Sequence, residues 1–150
     1  MTGLRRKARV VALQALYEID CSDHKPDDVL GNILKNQALP GEAADFAQEL
    51  VTGVLENLSA INNEIRRFAP LFPIEQIAII DRNIIRLAIY EVRYDTKVPV
   101  KAAINEAVEL SKHFGNDTSP KFVNGVLGSV IAESQKVNAS TEAIEKSNIK

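Results

Sequence analysis

Residues 74–94 read IEQIAIIDRNIIRLAIYEVRY and form the most apolar stretch of the chain. When they are placed at 100° per residue, the apolar and polar side chains fall on opposite sides: Ile77, Ile84, Ile85, Ala88 and Val92 on one, and Arg82, Asn83, Arg86, Tyr90 and Arg93 on the other. An apolar side that recurs at helical spacing predicts a long helix. Because this helix is richer in isoleucine and leucine than its neighbours, we expect it to lie at the centre of the fold.

The segments on both sides show the same helical spacing and end at prolines, glycines or polar clusters. No strict alternation next to a tight-turn dipeptide predicts a hairpin. Ser59 and Ser119 precede two of the segments and are predicted N-caps. We therefore predict an all-α chain with one domain over residues 1–137. A polar tail over residues 138–150 lacks an apolar face and is expected to be mobile.

The composition excludes several classes of protein. The chain has 150 residues, of which 45% are hydrophobic and 25% charged, as in an ordinary globular domain. The sequence shows no apolar run of membrane-spanning length and no signal peptide, and its single cysteine, Cys21, cannot close an internal disulfide. We expect a soluble cytoplasmic protein that does not bind a membrane.

The sequence also lacks the motifs of an enzyme. There is no G-x-G phosphate cradle, and Cys21, His24 and His113 do not have the spacing of a metal site. A nucleophile pair of Cys21 and His24 is less favoured than a small buried thiol beside a surface histidine. We predict no catalysis, no cofactor and no metal.

Four cations are concentrated at the start of the chain. Residues 1–17 contain Arg5, Arg6, Lys7 and Arg9 and no acidic residue, whereas the whole chain has a net charge of −2. Cations are disfavoured at a helix N-terminus, so helix stability does not explain them. Neutralisation of RNA phosphates would explain them, and a solvated, frayed leader is the alternative.

A second candidate site opens the last predicted helix. Phe122 lies at the edge of the apolar face, between Lys121 and Asn124. A ring beside a cation and an amide suits a stacked base and its phosphate, although Phe122 could also be a peripheral core residue. Gly125 and Gly128 are costly inside a helix and predict close approach by another backbone or a ligand.

Asp81 is the third candidate, because it falls in the middle of the apolar arc of its helix. A buried, unpaired carboxylate is expensive. It could lie in the first helical turn, pair with an internal arginine, or face another protein.

Five motifs, in this order along the chain, resemble the NusB family of bacterial transcription antitermination factors. They are RRKAR at 5–9, QALY at 14–17, RLAIYE at 86–91, VPVKAAINEAVELSK at 98–112 and KFVNGVL at 121–127. The resemblance implies an all-α fold of about seven helices in two subbundles.

It also implies binding of single-stranded boxA-type RNA in ribosomal RNA leaders, together with the ribosomal small-subunit protein NusE, in a complex loaded onto RNA polymerase. Some members form homodimers, so a second copy of the chain is another candidate partner. The resemblance assigns protein contacts to Tyr17 and Asp81. It assigns RNA contacts to Arg5, Arg6, Lys7, Arg9, Gln14, Lys101, Lys121, Phe122 and Asn124.

Two other functions stay open from the sequence. NusB-like domains also occur fused to ribosomal RNA methyltransferases, so the chain could be an RNA-binding accessory module of such an enzyme. It could also be a helical protein-docking module without an RNA role.

Overall fold

The computed structural model describes the backbone of residues 2–95 and 97–148 and the side chains of residues 3–95 and 97–133. Over these residues the chain forms seven α-helices, one 3-10 turn and no strand, which confirms the predicted all-α fold. The predicted tail, residues 138–150, lies outside the described side chains and stays a prediction. The helices are α1 (Thr2–Cys21), α2 (Pro26–Asn36), α3 (Gly41–Glu56), α4 (Leu58–Phe68), α5 (Ile79–Tyr94), α6 (Val100–Phe114) and α7 (Ser119–Asn148).

Helix α5 lies at the centre, as its composition predicts. It packs against α1, α3, α4, α6 and α7, and residues 83–91 are all buried. On one side, α1 packs against α2 and α3, and on the other α6 packs against α7. None of the described helices is long and apolar enough to cross a membrane.

The single helix predicted over 74–94 is interrupted near its start. A 3-10 turn spans Ile74–Gln76, and Ile77 is extended before α5 begins at Ile79. The Arg82 side chain donates a 3.1 Å hydrogen bond to the Ile74 carbonyl and so ties the turn to the helix. The interruption leaves Gln76 and Ala78 exposed immediately before α5.

The prediction that Ser59 caps α4 is wrong. That helix begins at Leu58 with Asn57 at the cap position, so Ser59 lies inside the first turn. The Asn57 amide instead donates to the carbonyl of Gly53 at the end of α3, over 2.8 Å. This bond joins the two consecutive helices directly.

An ion cluster fastens α1 to the start of α5. The Asp20 carboxylate accepts hydrogen bonds from Arg82, Asn83 and Arg86 at 2.8 to 2.9 Å. Partial burial alone would raise the pKa of Asp20, but these donors and the two positive charges outweigh it and lower the pKa to about 2. Much of the polar side predicted for α5 therefore contacts α1 inside the protein.

Close helix approach occurs at a different glycine from those predicted. A Cβ added at Gly53 would collide with the ring of Tyr90, so α3 and α5 can meet only because residue 53 has no side chain. At Gly125 and Gly128 no atom of the described structure lies within 4 Å of an added Cβ. None of the described residues makes the predicted close approach at these two positions.

Candidate nucleic-acid interface

The first turns of α1 present three exposed cations, Arg5, Arg6 and Lys7. The Arg5 guanidinium lies 4.5 Å from the ring centroid of Phe46, a cation–π contact. Glu42, Asp45, Glu49 and Asp95 line the same cleft, although none of these carboxylates forms an ion pair with Arg5. Arg6 donates two hydrogen bonds, of 2.9 and 3.1 Å, to the carboxylate of Glu106 on α6. The leader is therefore a packed helix end, and it holds cations of two kinds: paired and unpaired.

Arg9 is placed differently from the predicted RNA contact. Its side chain is turned inward, the residue is only 5% exposed, and it donates three hydrogen bonds of 2.8 to 3.1 Å to the buried Glu91. A carboxylate oxygen of Glu106 also lies 3.9 Å from the Arg9 guanidinium. Because its charge is already compensated inside the protein, Arg9 cannot contribute to phosphate binding as an exposed arginine would.

A large groove opens beside α1, and we call it the Tyr17 groove. Its volume is about 840 Å³, and its walls come from α1, α2, the start of α5 and the end of α6. Tyr17 is 43% exposed there, and Gln14 accepts a 2.9 Å hydrogen bond from Gln37. The lining residues are Leu13, Gln14, Tyr17, Glu18, Cys21, Ser22, Ile33, Ala78, Ile79, Ile80 and Phe114.

A smaller groove, which we call the Phe122 groove, lies at the start of α7. Its volume is about 360 Å³, and Lys121, Phe122 and Asp81 all line it. The rings of Phe72 and Phe122 meet edge to face with their centroids 5.2 Å apart. Gln76, Ile77, Ala78 and Thr118 complete its lining.

The two grooves adjoin at Ala78, which lines both. Each groove therefore contains both a residue predicted to contact RNA and a residue predicted to contact protein. Gln14, a predicted RNA contact, shares a groove with Tyr17, and Asp81, a predicted protein contact, shares one with Phe122.

Helix α6 connects the cationic leader to the Tyr17 groove. Glu106, which holds Arg6, lies eight residues before Phe114, which lines the Tyr17 groove. At a rise of 1.5 Å per residue the two positions are about 12 Å apart along the helix. Lys101 is exposed in the first turn of α6 and Asn124 on α7, and neither lines the Tyr17 groove or the Phe122 groove.

A tight turn sets the start of α7. The side-chain oxygen of Asn116 accepts hydrogen bonds from the Thr118 amide and hydroxyl and from the buried Ser119 hydroxyl. A side chain at Gly115 would collide with Ser119, so the end of α6 can approach this turn only at a glycine. The turn holds Lys121 and Phe122 at the mouth of their groove.

Two features of the site were missed or misjudged from the sequence. Phe72 was not singled out, although an aromatic residue between Pro70 and Pro73 is constrained to a short loop and is a detectable signal. Cys21 is exposed, so the expected buried thiol is wrong. No cluster of metal ligands occurs among the described residues.

Comparison with known proteins identifies the family. A family model described as the NusB family matches residues 6–132. The chain belongs to the NusB family. It is 47% identical over 130 residues to the transcription antitermination protein NusB of Dehalococcoides mccartyi strain ATCC BAA-2266, covering 87% of this chain and 91% of that relative.

Solved NusB structures share the fold. NusB from T. maritima superposes with a TM-score of 0.81 at 32% identity, covering 86% of this chain and 91% of that chain. A crystal structure of the antitermination factors NusB and NusE in complex with dsRNA gives a TM-score of 0.79 at 24% identity, covering 87% and 97%. At that identity the second structure supports the shared fold alone.

Proposed function

We propose that this NusB-family protein binds single-stranded boxA-type RNA in ribosomal RNA leaders and, together with the ribosomal protein NusE, acts in transcription antitermination on RNA polymerase. It works in the cytoplasm as a binding factor and not as a catalyst. Its curated relatives carry the name of an antitermination protein, and a protein of the same fold has been crystallised with NusE and dsRNA. The observation that carries the proposal is an exposed cationic helix end, joined to α6 through Arg6 and Glu106, together with a groove at the start of α7 that contains two aromatic rings.

The exposed cations provide the charge that an RNA strand requires. Arg5, Lys7, Lys101 and Lys121 are exposed, and the described structure places no carboxylate within ion-pair distance of any of them. Arg6 can bind phosphate only while it is shared with Glu106 or after its pair with Glu106 breaks. Phosphate binding is thus assigned mainly to the four unpaired cations, with Gln14 and Asn124 as exposed polar neighbours.

The aromatic groove favours single-stranded over double-stranded RNA. Bases in a duplex are stacked on one another, whereas those of a single strand can stack on protein rings. The Phe122 groove offers an aromatic surface of this kind next to Lys121, a phosphate-binding side chain. A single strand could therefore run from the leader along α6 and across the turn that joins α6 to α7 before it reaches this groove.

The Tyr17 groove is assigned to the protein partner. It is larger and mainly apolar, and it exposes Tyr17 and Phe114, aromatic residues of the kind that anchor protein interfaces. Because it adjoins the Phe122 groove at Ala78, a protein bound in it would extend the RNA-binding surface. Such a shared surface predicts that the partner and RNA each strengthen the binding of the other.

The salt dependence of RNA affinity tests the proposal. A fluorescent U-rich and A-rich single strand is titrated with wild-type protein and with the double variant Arg5→Ala/Lys7→Ala at several salt concentrations. Each lost phosphate contact lowers the slope of log K against log salt by about 0.7, so the double variant should lose about 1.4. The matched control, Lys25→Ala/Lys35→Ala, removes two exposed lysines that lie outside the leader, one just before α2 and one on it.

An equal slope for the double variant and wild type, or an equal loss in the control, would show that the leader does not bind phosphate. RNA binding that is absent throughout, with retained binding of NusE, would instead identify a protein-docking module.

A further inference from the structure

One carboxylate, that of Glu106 on α6, lies beside two arginines of α1. It accepts two hydrogen bonds, of 2.9 and 3.1 Å, from the half-exposed Arg6. The Nη1 atom of the buried Arg9 lies 3.9 Å from an oxygen of the same carboxylate. Glu106 would therefore keep a positive neighbour if Arg6 turned towards another anion.

The Arg9 side chain has donors left for Glu106. An arginine carries five N–H donors. The three hydrogen bonds that Arg9 makes to Glu91 start from its Nε and Nη2 atoms, so Nη1 takes no part in them. A movement of about 1 Å would bring Nη1 and the Glu106 carboxylate to about 2.8 Å, the ordinary distance of a charged hydrogen bond.

The pair of Arg6 and Glu106 is placed where it can open. The Arg6 side chain is 49% exposed, compared with 15% for Glu106 and 6% for Arg9. An ion pair with an exposed member contributes little net stability, because water and salt ions can replace the contact. A phosphate can therefore reach Arg6 from solvent while Glu106 stays behind, next to Arg9.

We propose that Glu106 competes with RNA for Arg6 and that its carboxylate passes to Arg9 when a phosphate binds. In the free protein Glu106 neutralises Arg6, so that residues 5–7 display only the unpaired charges of Arg5 and Lys7. In the complex Arg6 binds a phosphate, and Glu106 accepts a hydrogen bond from Nη1 of Arg9. The inference rests on the proposed RNA-binding function and adds to it an autoinhibitory contact that limits the RNA affinity.

The exchange gives the buried Arg9 an indirect part in RNA binding. Its side chain is bound to Glu91 inside the protein and does not meet the strand. It is a positioning residue, because it lowers the cost of separating Glu106 from Arg6. Without a second cation the largely buried Glu106 carboxylate would be left unpaired, which is far more costly than the loss of an exposed pair.

RNA titrations of single and double variants test the competition. The fluorescent U-rich and A-rich strand is titrated with full-length wild type, Glu106→Gln, Arg6→Ala and the double variant. Glu106→Gln keeps the shape of the side chain and removes its charge, so it should raise the RNA affinity by about threefold to tenfold. In the Arg6→Ala background the same substitution should change the affinity by less than about twofold, because no cation is left to release.

The matched control is Glu42→Gln. It removes the same charge from an exposed residue that lines the cleft of Arg5, whereas Arg6 is bound to Glu106. Because it releases no arginine, it should change the RNA affinity by less than about twofold. The slope of log K against log salt should be equal in wild type and Glu106→Gln, since Arg6 binds phosphate in both complexes, and Arg6→Ala should lower it by about 0.7.

Nitrogen-15 spectra of the arginine side chains follow the second half of the exchange. The Nη1 resonance of Arg9 should shift when RNA is added to the wild type, although no phosphate reaches this buried group, and it should shift less in Glu106→Gln. Thermal unfolding of each variant is measured as well. A contact that only stabilises the fold would lower the melting temperature without changing the RNA affinity.

Several outcomes would overturn the inference. An unchanged RNA affinity in Glu106→Gln, or an equal rise in Glu42→Gln, would show that Glu106 does not compete for Arg6. A slope that rises by about 0.7 in Glu106→Gln, or that stays unchanged in Arg6→Ala, would show that Arg6 remains paired in the wild-type complex. An unmoved Arg9 resonance would show that Glu106 does not pass to Arg9. Absence of RNA binding by the wild type and by every variant would instead refute the proposed function itself.

Discussion

The substitution Arg9→Ala tests most directly whether the buried pair of Arg9 and Glu91 is structural. Both side chains are almost completely buried, with 6% and 2% of their surfaces exposed, and the pair is joined by three hydrogen bonds. Truncating Arg9 leaves the Glu91 carboxylate inside the protein without its donor. Breaking a buried pair in this way costs about 3–5 kcal/mol. For a domain of this size the melting temperature should fall by about 6 to about 20 °C.

The cost should depend on pH in a defined direction. Burial raises the pKa of Glu91 above its ordinary value of 4.5, and the hydrogen bonds and charge of Arg9 partly counteract that increase. Without Arg9 the folded-state pKa should rise further, so the folded variant would hold a proton that the unfolded chain releases above about pH 4.5. The variant should therefore lose stability as the pH rises from about 5 towards its folded-state pKa, and it should be closest to wild type in mild acid.

Urea unfolding at pH 5 and pH 8, followed by circular dichroism, measures both effects. The double variant Arg9→Met/Glu91→Leu should regain most of the lost stability, because apolar side chains of similar size can replace a buried pair. At a temperature where Arg9→Ala is folded, the salt slope of its RNA affinity should equal that of wild type. A stability change below about 1 kcal/mol, combined with a slope reduced by about 0.7, would show that Arg9 contacts phosphate and refute its structural role.

Three further predictions concern α1, the contact between α3 and α5, and the Phe122 groove. Because the pKa of Asp20 is about 2 against an ordinary 3.8, its ion pairs stabilise the fold above about pH 4 and lose this effect as the pH falls towards 2. Urea unfolding at pH 7 and pH 3 should show that Asp20→Asn costs at least about 1–2 kcal/mol at pH 7, after allowance for solvent screening, and less at pH 3. Gly53→Ala should destabilise the folded protein by about 1–3 kcal/mol in thermal unfolding, because it forces α3 away from an aromatic ring of α5. Gly125→Ala, by contrast, should stabilise it by up to about 1 kcal/mol. Equal effects of the two substitutions would contradict the packing described. Phe122→Ala should weaken single-stranded RNA binding by about 1–3 kcal/mol, whereas the exposed control Tyr94→Ala should not weaken it. A lower melting temperature without a loss of RNA affinity would make Phe122 a core residue.

The burial pattern of α5 was predictable from the sequence in part. Helical spacing fixes the direction in which each side chain leaves its helix, so the buried positions of Ile84 and Ala88 follow from their places on the wheel. The same wheel assigned Arg86 to the exposed side, yet it is buried. Its burial depends on Asp20, 66 residues away in the chain, and helical spacing carries no information about that partner.

The candidate site was also predictable from the sequence only in part. The sequence singled out Phe122 and Asp81 as separate features, each by its position on its own helix. It did not indicate that they share a groove, because that requires the interruption before α5 and the tight turn before α7 to place both helix starts side by side.

What the sequence alone determined is the order of the helices, the apolar side of each one and the family to which the chain belongs, since these depend on residue types at short, regular spacing. Tertiary structure alone decided which cations are available to a ligand. Arg5 and Arg9 lie one turn apart, but only Arg9 meets a carboxylate 82 residues further along the chain. An arginine is exposed or neutralised according to the helix that packs against it, and the path of that helix is set by the whole core.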